Sequence, residues 1–278
     1  MKMKELRMGI LLLILLPVSF TAAAQQYTGM SGLIHVPSAD MDKAGAARVG
    51  VHYLNREFTP EVMAYDGLKY HTMTHYLSIT PFSWVEIGYT CTLLRRPKVE
   101  QGVADETDVG LYRKDRYFSL KLSPLKEREG KWWPGIAVGT NDPYSTTSKQ
   151  VWSGWMQQVE KAPSRVATEK KKSTVSGSRY FANFYVAATK HFDLGGNSLG
   201  VHAAYRQWKR EDNDRWNGVV GGFTFQPHFQ KNLRLIAEYT GDDVNVGFDW
   251  KLWKHWLIQS SLQNGKFFSG GLCFYIEL

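Results

Sequence analysis

The chain has 278 residues, and 34 Lys and Arg outweigh 26 Asp and Glu to give a formal charge of +8. A mean hydropathy of -0.34 excludes a bundle of membrane helices, since each would need about 20 consecutive apolar residues, but leaves room for strands that hide their apolarity in every second position. The positive excess suits anionic lipopolysaccharide or acidic glycans; without a binding motif to accompany it, nucleic acid is not an expected partner.

Lys2, Lys4 and Arg7 open the chain with positive charge, residues 8–20 are apolar, and Ala22, Ala23 and Ala24 are small. That order is a secretory signal peptide, expected over residues 1–24 with cleavage after Ala24. No Cys lies beside the cleavage site, so a lipid-anchored start is not expected. Residues 25–45 are rich in Gly, Ser and Asp and contain Pro37. They read as an ordered non-strand segment ahead of a single domain over residues 46–278. Within the segment, Asp40 and Asp42 near His35 offer cation ligands, although a capped turn is the simpler explanation.

Alternation of apolar and polar residues then marks twelve strands. They are expected at 46–55, 70–79, 84–94, 117–123, 135–140, 180–192, 199–208, 218–226, 233–240, 244–252, 256–263 and 267–278. In 84–94, Val85, Ile87, Tyr89, Cys91 and Leu93 oppose Glu86, Gly88, Thr90 and Thr92. In 244–252, Val244, Val246, Phe248, Trp250 and Leu252 oppose Asn245, Gly247, Asp249 and Lys251. Such strands behind an export signal predict an all-β fold, a single antiparallel transmembrane β-barrel of about 12 strands, oily outside and polar inside. Slipping 244–252 by one residue would turn Asp249 and Lys251 toward lipid, at about 2–4 kcal/mol for the Lys at the bilayer midplane. The polar set Arg48, Glu86, Thr90, Asn245, Asp249 and Lys251 is therefore expected to face the lumen, open to water or a glycan.

The links support the same reading, because such barrels alternate short periplasmic turns with longer outer loops. The three longest links, 56–69, 95–116 and 141–179, all fall on one rim. The longest carries Trp152 and Trp155, able to stack on sugar rings, and Lys170, Lys171 and Lys172, able to contact lipopolysaccharide or glycan. Trp84, Trp132, Trp133, Trp253 and Trp256 lie beside the opposite, short links, as in an interfacial aromatic belt. Cys91 and Cys273 fall on opposite faces of strands three spacings apart, roughly 14 Å at ~4.8 Å each. A disulfide needs Cα atoms within about 7 Å, so none is expected.

Catalytic signals are sparse. His71 and His75 have the spacing of a helical zinc pair but sit in a strand pattern. A wall-mounted hydrolase would need Ser and His within hydrogen-bond reach; His191, His202 and Ser198 are available, with the two histidines expected on different faces. The chain is therefore expected to be non-catalytic, with no cofactor and no metal.

Two segments carry a resemblance. Gly32-Leu33-Ile34 with Pro37-Ser38-Ala39 and Gly45, and the stretch from Ala237-Glu238-Tyr239 to Leu278 with Gly241-Asp242 and Asn264-Gly265, resemble the YjbH-like exopolysaccharide-biosynthesis family. The resemblance implies an outer-membrane β-barrel of a Gram-negative bacterium, associated with secretion of exopolysaccharide or capsule. Longer members carry two barrel-like halves, where this chain would have one. Ser269, Gly271, Phe274 and Ile276 resemble the insertion signal read by the barrel-assembly machinery, with Leu278 in place of the usual final Phe. The expected role is support of export or surface assembly of the polymer; a general porin or structural barrel is the alternative, and a lipid- or glycan-modifying hydrolase the third reading. The implied partners are outer-membrane lipid and lipopolysaccharide, the assembly machinery, a polysaccharide and periplasmic export components.

Overall fold

The computed structural model describes residues 25–64, 68–100, 103–143 and 179–277; the expected signal peptide lies outside them. Within them the chain forms β1 (Ala46–Leu54), β2 (Thr72–Phe82), β3 (Val85–Glu100), β4 (Val103–Leu125), β5 (Gly135–Asn141) and β6 (Asn183–Leu194). It continues with β7 (Asn197–Trp208), β8 (Gly218–Gln226), β9 (Leu233–Tyr239), β10 (Val244–Leu252), β11 (Trp256–Gln263) and β12 (Phe267–Glu277). Each strand pairs with its sequence neighbours, and β12 pairs antiparallel with β1, so the sheet closes as a barrel. Closure gives every strand two partners and leaves no edge of unpaired backbone.

Alternation sorts the two faces. Val246 is 48% exposed and Val219 71% exposed on the outside, with Leu77, Ile87, Phe223, Leu235 and Leu272 also exposed there. A continuous apolar surface of this kind is far larger than a water-facing protein tolerates, so the exterior is built for lipid. Trp132 and Trp253, 86% and 80% exposed, lie with Trp84 and Trp256 on the rim of short links, where the belt was expected. Cys91 and Cys273 are both free.

Two elements differ from the sequence expectation. Residues 95–116 are not an outer loop. β3 runs on to Glu100 and β4 begins at Val103, so most of that span is paired hairpin. The ladder shifts register between Leu94 and Arg96 and between Pro97 and Lys98, and an irregularity is where a strand tolerates Pro, which has no N–H to donate. Beyond the lipid, water wets both faces, so the alternating pattern that marks a strand disappears.

The second is an addition: residues 25–45 form no strand of the barrel, as expected, but residues 25–39 fold back and fill it. Tyr27, Met30, Leu33, Ile34 and Val36 are buried inside the lumen. Leu33, Ile34 and Val36 pack on Tyr185, Ala187, Ala204, Val220 and Ile236 of the inner wall. Toward the long-loop rim, Tyr27 joins Leu54, Phe58, Tyr117, Phe181, Trp208 and Trp216 in an apolar cluster. Gly88 and Gly247 leave space for this plug: a Cβ would lie 2.7 Å from Met30 Sδ at the first and 2.9 Å from Ile34 Cδ1 at the second.

Candidate functional site

Many of the wall's polar residues hold the plug. A plug has its own backbone N–H and C=O groups, and buried ones need partners. Thr90 Oγ1 donates to Thr28 O at 2.8 Å, and Ser78 Oγ donates to Gly29 O at 2.8 Å. Glu86 accepts from the Ser31 N–H at 2.7 Å. Lys121 Nζ donates to Ser31 O at 2.9 Å. Glu238 accepts from the N–H groups of His35 at 3.0 Å and Val36 at 3.2 Å, and its Oε1 lies 2.6 Å from His35 Nδ1. Asn245 Nδ2 donates to Glu238 at 3.0 Å, and Arg206 Nη1 donates to His35 O at 2.8 Å. Gln259 Nε2 bridges Gln25 O at 2.6 Å and Asp249 Oδ1 at 2.7 Å.

The lumen-facing expectation is therefore half corrected. Arg48, Glu86, Thr90, Asn245 and Asp249 do face inward, but all five are buried and hold the plug or another wall residue rather than standing open to water or a glycan. Arg48 pairs with Asp42, and Asp249 with Arg234. Lys251 is partly exposed, with Nζ 4.4 Å from the centre of the Tyr275 ring. His35, Asp40 and Asp42 do not converge as a cation site: His35 goes to Glu238, Asp42 to Arg48, and Asp40 elsewhere.

Asp40 lies in a cavity of about 1350 Å³ at the short-link rim. Glu127, Trp132, His191, Asn197 and Arg234 are among its lining residues. The β6–β7 turn builds the cavity's inner wall. Gly195 and Gly196 both have positive φ, +66° and +89°, the requirement of the tightest hairpin turn. That turn sets Leu194 opposite Asn197, hence His191 opposite Gly200 and Thr189 opposite His202. His191 and His202 consequently share the inner face, with ring centres 5.7 Å apart. The expectation of different faces fails because the two-residue turn makes odd positions of β6 meet even positions of β7. Gly200 between them is necessary: a Cβ there would lie 2.7 Å from His202 Nε2 and 3.1 Å from His191 Cδ2.

Each imidazole is held from behind. His191 Nδ1 lies 2.7 Å from Glu127 Oε2, while the His191 N–H donates to Glu127 Oε1 at 2.8 Å. His202 Nε2 lies 3.0 Å from Thr224 Oγ1, and Nδ1 lies 3.0 Å from Thr189 Oγ1. Burial pushes the Glu127 carboxyl up, but hydrogen bonds from Lys190 and His191 outweigh it and hold the group below its ordinary range. Asp40 follows the same pattern: burial raises it, and His202, His191, Arg234 and Lys121 together bring it below its ordinary value. Both are carboxylates. Asp40, His191 and His202 offer ligand atoms that lie within 4.8 Å of one another. Ser198 lines the same cavity, but the histidine nitrogens are directed at Glu127, Thr189, Thr224 and Asp40 rather than arranged around a nucleophile.

His71 precedes β2 and its Nδ1 accepts from the Arg56 N–H at 3.1 Å, whereas His75 is exposed on the outer face. Ser269 and Gly271 face inward, and Phe274 and Ile276 outward, on β12; the Asn55 N–H donates to Ser269 Oγ at 3.0 Å. Trp152, Trp155, Lys170, Lys171 and Lys172 lie outside the described residues. The plug contacts and the Asp40–His191–His202 group escaped sequence reasoning. The shared face of His191 and His202 was within reach, since Gly195-Gly196 dictates the pairing of their strands; the arrival of Asp40 was not.

Comparison with known proteins gives fold likenesses and one family. Outer membrane phospholipase A from Escherichia coli is 11% identical with a TM-score of 0.35, over 86% of this chain and 97% of that one. The calcium-bound phospholipase dimer of Salmonella typhi is 11% identical with a TM-score of 0.34, over 84% and 91%. Wzi of Escherichia coli, a carbohydrate-binding β-barrel involved in group 1 capsule assembly, is 9% identical with a TM-score of 0.28. That match covers 75% of this chain and 52% of Wzi. No curated protein matches the sequence. The profile of the YjbH family, described as exopolysaccharide biosynthesis protein YbjH, matches residues 24–278, and the closed barrel with its apolar exterior agrees with it: the chain belongs to the YjbH exopolysaccharide-biosynthesis family.

Proposed function

We propose that this protein is a plugged, non-catalytic barrel of the Gram-negative outer membrane that supports export or surface assembly of an exopolysaccharide, engaging the polymer from the periplasmic side. The observation that carries this reading is the filled lumen. A general porin needs a water-lined passage, whereas here residues 25–39 are buried in the lumen and the inward wall residues bond to them or to one another. The short-link rim is the periplasmic one in barrels of this kind, so the cavity beside Asp40 faces the compartment through which a polymer is exported. Trp132 presents an exposed indole at that mouth, a flat apolar surface with a wet edge suited to a sugar ring. Lys131 and Lys231 stand on the same cavity and supply donors for hydroxyl or carboxylate groups. Lipopolysaccharide and periplasmic export components are the partners this placement implies.

The test is a chromosomal replacement by the triple variant Trp132→Ala, Lys131→Ser, Lys231→Ser, with surface polysaccharide as the readout. The variant is expected to reach the membrane at the normal level and to lower surface polymer as deleting the gene does. Undiminished polymer in the deletion strain refutes the export role; loss in the deletion but not in the triple variant refutes the cavity as the docking site.

A further inference from the structure

We infer that Asp40, His191 and His202 form a binding site for a divalent transition-metal ion of the zinc type, which ties the plug to β6 and β7. The inference does not depend on any glycan at the cavity.

Asp40 Oδ1 lies 3.7 Å from His191 Nε2, and Asp40 Oδ2 lies 3.8 Å from His202 Nδ1. Both separations are too long for hydrogen bonds, so the carboxylate and the two rings face one another across a gap. Zinc binds His nitrogen and carboxylate oxygen at about 2.0–2.2 Å, and tetrahedral angles then place ligand atoms about 3.4 Å apart. The two distances run from different oxygens of Asp40, and taken one atom per residue the three ligands lie within 4.8 Å of one another, so a small turn of the carboxylate closes the Asp40 edges. The third edge closes by turning His191, which is partly exposed near the end of β6.

A metal-bound His characteristically gives its other ring N–H to a carboxylate, backbone carbonyl or similar acceptor, which fixes ring and tautomer. Glu127 takes that role for His191 Nδ1 and leaves Nε2 directed at Asp40. Thr224 takes it for His202 Nε2 and leaves Nδ1 on the Asp40 side. Thr189 Oγ1, which accepts from the Ala39 N–H at 2.9 Å, is the present partner of His202 Nδ1 at 3.0 Å, and a metal ion bound at that nitrogen takes the hydroxyl's place. Two imidazoles and one carboxylate are a donor set for zinc, copper or nickel rather than for calcium or magnesium. Asp40 and His191 line the cavity, so an ion has an entry path and an open position.

The experiment uses the full-length protein, purified in detergent without a polyhistidine tag and stripped with a chelator. Zn²⁺ alone is added, and bound metal is measured by elemental analysis and by competition with a chromophoric chelator. The wild type is expected to hold one equivalent. Asp40→Asn combined with His191→Gln is expected to lose it, and Glu127→Gln, which acts only by positioning His191, to weaken binding about 10–100-fold. Heat-modifiable gel migration reports whether each variant has folded. Co²⁺ added to the wild type gives a second readout that needs no variant: a visible band of low-coordinate nitrogen ligation is expected. A wild type that binds no Zn²⁺, or binds it as the folded double variant does, overturns the site, as does a Co²⁺ spectrum equal to that of the free ion.

Discussion

Glu238 illustrates how much one inward residue does. Its carboxylate accepts from the His35 and Val36 N–H groups and from Asn245, and it meets the His35 ring. All of this is buried. Removing the carboxylate leaves the buried His35 and Val36 N–H groups and the Asn245 amide without their acceptor, at about 1–3 kcal/mol for each. Glu238→Ala is therefore expected to cost at least ~3 kcal/mol and to lower the temperature at which the heat-modifiable band converts; an unchanged conversion temperature would mean the plug is not held there. Asp142, at the long-loop rim, supplies a pH dependence. Burial and then the neighbouring Asp115 push its carboxyl up to about 7, against the opposing pull of Arg179 and Lys209. The unfolded chain releases this proton near the ordinary carboxylate value, while the folded barrel keeps it until about pH 7. The folded state is thus favoured at low pH, and the advantage is lost as pH rises between those two values. Asp142→Asn removes the loss, so it should raise the conversion temperature at pH 8 while leaving pH 4 nearly unchanged. Asn also tolerates the positive φ of 50° at this position.

At the scale of elements, the plug governs permeability. Deleting residues 26–40 is expected to turn a barrel that excludes small sugars into one that admits them, read by swelling of loaded liposomes. Equal swelling with and without the segment would show that the lumen is closed by something else. The plug was also the element least legible in the sequence. Leu33, Ile34 and Val36 lie among Gly, Ser and Asp with no period, because a segment packed on all sides by a curved wall has no single buried face to repeat. Its partners, such as Tyr185 and Ile236, are far away in sequence. The strands were legible for the opposite reason. β8, β10 and β11 were expected with the bounds they have, since lipid on one side and a packed lumen on the other impose a two-residue period. The β3–β4 hairpin lost that period where it left the lipid, and its outer half was read as loop.

For the whole molecule, the hydrocarbon-facing belt decides where the barrel can reside. Val246 stands on that belt, and its neighbour Asn245 faces the plug. Val246→Lys is expected to cost about 2–4 kcal/mol near the midplane, seen as a lower denaturant midpoint for folding into liposomes. A midpoint equal to the wild type would place Val246 at the interface rather than in the hydrocarbon. Fold class, strand order and the aromatic rim all followed from the sequence, because closure and immersion in lipid leave little choice. The Asp40–His191–His202 group did not, because it joins the plug to two strands and exists only once all three are assembled.

The seam between β1 and β12 has a mechanical corollary. The plug leads through residues 41–45 directly into β1, so it is leashed to the wall at the short-link mouth. Whatever settles in the cavity beside Asp40 would bear on that leash, so loading the mouth and shifting the plug are mechanically linked.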